Sequence, residues 1–197
     1  MKNVVKKIRN AIALIIHGRV AEYNDKGFII HAKFSSGDEY WCDSNGIIIH
    51  MKSSSGSESW YDSDGKCIHL KCSDGSESWF DNNGKLIHKK YPNGGEAWME
   101  YDANIICIHA KWSDGYELWS DANGNLIHSK WSDGSERWYE YDAVGSMIHY
   151  KDSDGDERWY EYDDKGNPIH LKNSDVHEWW YDSDGNEHWY DADGNLQ

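Results

Sequence analysis

A histidine recurs along this chain at positions 31, 50, 69, 88, 109, 128, 149 and 170, so the intervals are 19 or 21 residues and never even. Each of these histidines follows an isoleucine and precedes a lysine by two residues, with Glu eight and Trp ten residues further on. An Asp follows each Trp after one residue, or after three in the longer copies. The chain is therefore eight copies of one unit, with partial copies around Glu22–Gly27 and Glu187–Gly194. A fixed short period of this kind signals an array of identical supersecondary units.

Two turn signals divide each unit. Ser-Asp-Gly, as at 73–75 and 132–134, makes one break, and Asp-x-(Asn/Asp)-Gly, as at 43–46 and 121–124, makes the other. Asn-Gly and Asp-Gly accept positive φ and are strong hairpin signals. The segments between them are strand-length and rich in Ile, Trp and Tyr. The 21-residue copies, such as Trp138-Tyr-Glu-Tyr-Asp142, insert two residues. An insertion of two preserves strand alternation, whereas it would rotate a helix by about 200°. The unit is thus predicted to be a β-hairpin, and the chain an all-β protein of tandem antiparallel hairpins.

An odd period requires the two loops of a repeat to differ in parity if equivalent residues are to share a face. A three-residue loop at Ser-Asp-Gly and a two-residue turn at Asn-Gly would pair Lys33 with Glu39, His31 with Trp41, and Trp41 with His50. That arrangement builds a His–Trp–His–Trp ladder on one face. A second ladder of Ile30, Cys42, Ile49, Tyr61, Ile68 and Phe80 is expected on the other. The reverse assignment would pair Trp41 with Ala32 and Ile49. The first is preferred because it gives every lysine a glutamate, a cross-strand pair contributing about 0.2–1 kcal/mol. Roughly 18 strands at 4.8 Å would extend about 85 Å if flat, so a long twisted, coiled or closed sheet is expected.

Composition restricts the function classes. Trp and Tyr supply 25 residues against 3 Phe, and the net charge is −15. The aromatic content argues for a folded chain. Residues 1–19 carry five basic residues and no acid, leaving a net of −20 on the remainder. Such a body repels nucleic acid and suits a basic partner. Residues 1–18 read as an amphipathic basic helix, with Val4, Ile8, Ile12, Ile15 and Ile16 on one stripe, capping a repeat domain over 19–197. The apolar run 11–16 is too short for a signal peptide and no stretch of 18 apolar residues offers a spanning helix, so a cytoplasmic location is expected. Cys42, Cys67, Cys72 and Cys107 show no CxxC spacing and suggest neither a disulfide framework nor a zinc site.

Tyr-Asp-x-x-Gly, as in 61–65, 181–185 and 190–194, resembles the YD repeats of Rhs-type and toxin-complex proteins. That resemblance extends in pattern over residues 20–197 and implies a spiralling β-sheet. The constant Ile-His-x-Lys and Trp depart from the YD pattern. "SWYDSDGK" at 59–66 is similar, more weakly, to choline- and glucan-binding cell-wall repeats, which form hairpin solenoids.

Histidines repeating every second strand stand about 9–10 Å apart, too far to share an ion, so no metal site is expected of them. The Asp-rich turns resemble the start of a calcium loop but lack its twelfth-position Glu, and turn formation accounts for them. No nucleophile elbow, phosphate loop or HExxH occurs, so neither an enzyme nor a cofactor is expected. Recognition is left to positions that vary between copies. Among these, Trp112, Trp131, Arg137, Arg158 and Trp179 are the candidate partner-binding residues, being residue types that anchor interfaces. The expected function is a non-enzymatic protein-binding module for a basic partner, such as an inhibitor, immunity or counter-defence protein of bacterial or phage type that imitates nucleic-acid charge. A carbohydrate or cell-wall binding module and a structural Rhs-like fragment are the alternatives. An exposed last hairpin, Glu178–Asp191, could also join two copies edge to edge.

Overall fold

The computed structural model describes residues 19–175, 177–182 and 186–190. They fall into two compact units divided between Ala97 and Trp98. The helix expected over residues 1–18 lies outside the described residues, as do residues 191–197.

The first unit contains β1 (Arg19–Tyr23), β2 (Ile29–Phe34), β3 (Glu39–Cys42), β4 (Ile48–Lys52), β5 (Glu58–Tyr61), β6 (Cys67–Lys71), β7 (Glu77–Phe80) and β8 (Leu86–Lys90). The unit boundary falls within β9 (Glu96–Tyr101). The second unit contains β10 (Cys107–Trp112), β11 (Glu117–Ser120), β12 (Leu126–Lys130), β13 (Glu136–Tyr141), β14 (Met147–Asp152), β15 (Glu157–Tyr162), β16 (Pro168–Asn173), β17 (Glu178–Tyr181) and β18 (Glu187–Tyr190). From β1 to β8 and from β10 to β18, each strand pairs antiparallel with the next in sequence. Among the described residues no strand returns to an earlier one, so neither unit closes into a barrel. The tandem antiparallel hairpins expected from the repeat are thus present.

The expected pairings hold: Lys33 faces Glu39, His31 faces Trp41, and Trp41 faces His50. The expected turn assignment does not. Both turns of each repeat have the same three-residue geometry. At the first, the Phe34 amide donates to Asp38 carbonyl and Gly37 to Phe34 carbonyl. At the second, Asp43 donates to Ile47 carbonyl and Gly46 to Asp43 carbonyl. Two equal turns alone would give an even period. The missing residue is supplied by a β-bulge, where Cys42 faces Ile48 and Ile49 is the extra residue. The same bulge recurs at Tyr61–Cys67 and Phe80–Leu86. The expected second ladder through Ile49 and Ile68 is therefore corrected, because the constant isoleucines Ile49, Ile68, Ile87, Ile127 and Ile169 are the bulged residues and remain 36–40% exposed.

The aspartate explains this choice. Asp43 Oδ1 accepts the amides of Asn45 at 2.8 Å and Ile47 at 2.9 Å. That reach to the fourth residue fits a three-residue loop closed by a left-handed residue, here Gly46 at φ 86°. Asp62, Asp81, Asp121, Asp142 and Asp163 hold their loops in the same way.

Among the described residues the buried apolar side chains are few and small: Ala21, Ala32, Cys42, Ala97 and Ala110. Seventeen large apolar or aromatic side chains are exposed, so the hairpins are held by side chains packed along the sheet surface rather than by a second layer.

Among the described residues, one loop breaks the glycine rule. Ile105 occupies the left-handed position at φ 71°, the only described non-glycine residue with positive φ. A β-branched side chain there is strained by about 1–2 kcal/mol. Ile105→Gly is expected to raise the urea unfolding midpoint by an equivalent of about 1 kcal/mol. An unchanged or lower midpoint would show that the strain is relieved within the loop.

Candidate functional site

One sheet face carries the constant residues. In the first unit, His31, Trp41, His50, Trp60, His69, Trp79 and His88 stack in one column, with centroid separations of 4.4–5.0 Å and interplanar angles of 9–18°. Beside the column runs a row of alternating charge, Lys33–Glu39–Lys52–Glu58–Lys71–Glu77. The glutamates link the two rows. Glu58 contacts His50 Nε2 at 2.9 Å and Lys52 Nζ at 3.5 Å. Glu77 contacts His69 Nε2 at 2.9 Å and Lys71 Nζ at 3.8 Å. Lys33 donates to Glu39. These side chains satisfy one another and form a scaffold. Among the described residues, no group of three or more His, Cys, Asp and Glu is placed to hold a metal ion.

In the second unit the 21-residue repeats alter this face. His109, Trp119, His128 and Trp138 stack, but Trp138 then faces Lys151 while Glu140 faces His149. Trp159 stacks on His149 and likewise faces Lys172, with Glu161 opposite His170. The His–Trp ladder expected from the repeat is thus interrupted at the insertions after Trp138 and Trp159. Alternation of faces survives two extra residues, but pairing register shifts by two. His149 consequently meets a carboxylate at each ring nitrogen, Glu157 at 2.9 Å and Glu140 at 3.4 Å.

The opposite face carries the variable positions, and in the second unit it gathers all five candidate residues. Tyr116 lies between Trp112 and Trp131, with centroids 5.2 and 5.8 Å away. The Arg137 guanidinium stands 4.7 Å from the Trp131 ring centroid. Within β14, Tyr150 donates to Asp152 at 3.0 Å; across the strands, Arg158 lies 5.9 Å from the Tyr150 centroid, and it is held by Asp156, two residues before it, at 2.6 Å. Two shallow depressions of about 300 Å³ each lie on this face. Arg137, Tyr139, Tyr150, Arg158 and Tyr160 help line one, and Arg158, Asn173, Trp179 and Tyr181 the other. Tyr116, Tyr139, Tyr150 and Tyr160 were not singled out by the sequence reasoning. Their signal was parity: each lies an odd number of residues from a constant Glu or Trp.

Charge is divided between the units. Residues 98–197 hold 23 acidic and 7 basic residues, a net of −16, whereas residues 1–97 hold 12 and 13. All four cysteines are free thiols, and burial raises the pKa of Cys42 and Cys67. No helix among the described residues is long and apolar enough to cross a membrane.

No protein-family model and no curated protein matches the chain. Among solved structures it is similar to TcdB2-TccC3-TEV, with 15% identity and a TM-score of 0.39, over 90% of this chain and 12% of that one. It is similar to the Photorhabdus luminescens Tc holotoxin pore, with 12% identity and a TM-score of 0.37, over 91% of this chain and 16% of that one. It is also similar to the TCP10 domain of Danio rerio CPAP in complex with a peptide of Danio rerio STIL, with 15% identity and a TM-score of 0.35, over 91% of this chain and 97% of that one. The chain thus spans less than a fifth of those toxin-complex chains. Its Tyr-Asp-x-x-Gly units occur in an array of antiparallel hairpins, a YD-repeat-like β architecture.

Two measurements test this geometry. Trp60 is sandwiched by two imidazoles and Trp138 stacks on one. Trp60→Ala should therefore destabilise by about 1 kcal/mol more than Trp138→Ala in urea titrations, the contribution of one aromatic pair; equal losses would remove the second stack from the account. Acid provides the other test. Lysine contacts hold Glu39, Glu117 and Glu178 below the usual carboxylate range, and backbone amides do the same for Asp43 and Asp81. Groups depressed in the folded state stabilise it fully above their unfolded pKa. That contribution disappears as pH falls through the folded value, so the unfolding midpoint should drop below about pH 4. A midpoint that holds steady through that range would contradict it.

Proposed function

We propose that this chain is a non-enzymatic protein-binding module whose second unit receives a basic protein partner, as an inhibitor, immunity or counter-defence protein that imitates nucleic-acid charge would. The observation that carries this reading is the division of charge, a net of −16 over residues 98–197 in the unit that also displays the aromatic strip. A surface of that sign draws a basic partner in and keeps nucleic acid away. In the 19-residue repeats the constant His, Trp, Glu and Lys side chains are occupied with one another, so recognition falls to the variable positions and to what the 21-residue repeats change. Free thiols suit a reducing compartment.

The test is affinity capture from nuclease-treated host lysate, followed by titration of the captured protein at two salt concentrations. A basic protein whose affinity falls roughly tenfold or more between low and physiological salt supports the reading. A neutral partner bound with no salt dependence rejects it.

A second reading, glycan binding, is favoured by one observation. The strip Trp112, Tyr116, Trp131, Arg137, Arg158 and Trp179 combines ring faces with hydrogen-bonding groups beside shallow depressions. Saturable quenching of Trp fluorescence by cell-wall polysaccharide, lost in a Trp131→Ala/Trp179→Ala variant, would support that reading over the first.

A further inference from the structure

The 21-residue repeats at Trp138 and Trp159 open a surface that the 19-residue repeat at Trp119 keeps closed. Trp119 lies between His109 and His128, at 4.9 and 4.4 Å. Trp138 and Trp159 each stack on one imidazole and have a lysine as their other register partner. Those lysines are drawn elsewhere, Lys151 to Glu157 at 3.5 Å and Lys172 to Glu178 at 2.9 Å. Each indole therefore keeps a ring face without a stacking partner, and both are 39% exposed. The same insertion places Glu140 and Glu161 two residues beyond these tryptophans on the same sheet face, with side chains 68% and 62% exposed.

An open indole face presents the negative side of its quadrupole and attracts cations. A carboxylate beside it adds to that attraction, and a unit of net charge −16 disfavours an anionic occupant. We infer that Trp138 with Glu140, and Trp159 with Glu161, form two receiving sites for the lysine and arginine side chains of a basic polypeptide segment. The inference rests on the basic-partner reading and says where, and by which groups, that partner is held. The two sites lie two strands apart and are offset by two residues along the strand, roughly 12 Å in all. An extended segment covers that distance in about four residues, and residues four apart in a strand point to the same side. The fitting partner therefore carries basic residues at i and i+4.

The test uses the full chain and a fluorescently labelled decalysine peptide, with binding read by anisotropy at low salt. Trp138→Leu/Trp159→Leu and Glu140→Gln/Glu161→Gln are each expected to weaken binding by about fivefold or more. Asp154→Asn/Asp164→Asn removes the same charge from exposed loops and is expected to change binding by less than about twofold. Far-UV circular dichroism checks that each variant folds, and the glutamine pair keeps the test decisive if the leucine pair does not fold. Equal losses from the glutamine and asparagine pairs would overturn the inference, because binding would then follow net charge alone, and the basic-partner reading would stand. Failure of the unaltered chain to bind decalysine would overturn both.

Discussion

The imidazole–indole stack is the interaction on which this architecture depends. Among the described residues no second layer covers the sheet, and the buried apolar residues there are mainly alanines. Side chains must instead cover one another along the hydrogen-bonding direction. Strands lie about 4.8 Å apart, and the His and Trp centroids of the first unit are separated by 4.4–5.0 Å. Planar rings standing on adjacent strands therefore meet face to face without tilting. The glutamates that contact His50 and His69 also meet lysines in the neighbouring row, so the column and the charge row hold each other in place there.

Given that column, a two-residue insertion has a defined consequence. It keeps the faces but shifts the register, so that a lysine takes the place of an imidazole beside Trp138 and Trp159. One kind of repeat builds scaffold, and the other exposes an indole and adds a carboxylate. The 21-residue copies at Trp138 and Trp159 belong to the second unit, where the net charge is also concentrated. The variable face of that unit adds a strip of Trp, Tyr and Arg whose arginines are engaged internally, Arg158 by Asp156 and Arg137 against Trp131. The two faces thus differ in chemistry: one offers carboxylates with open rings, the other rings with hydrogen-bonding groups.

The hairpin unit, its strands and the pairs Lys33–Glu39, His31–Trp41 and Trp41–His50 could be read from the sequence, because side-chain period and loop parity are arithmetic. The five candidate residues Trp112, Trp131, Arg137, Arg158 and Trp179 were legible as variable positions. Their assembly with Tyr116 and Tyr150 into one strip depended on cross-strand neighbours that a linear pattern does not name. Glu140 and Glu161 are visible in the sequence only as part of the two-residue insertions, because their neighbours depend on register.

The sequence by itself determined that equivalent residues return to the same face, since an odd period in an alternating strand leaves no other way to keep His and Trp together. It did not determine how the odd residue is accommodated. A two-residue turn and a bulge satisfy the same parity, and both leave Trp41 opposite His50. The tertiary structure decided for the bulge, because Asp43 binds the amides of both Asn45 and Ile47 and so holds a three-residue loop, which passes the extra residue to Ile49 in the strand.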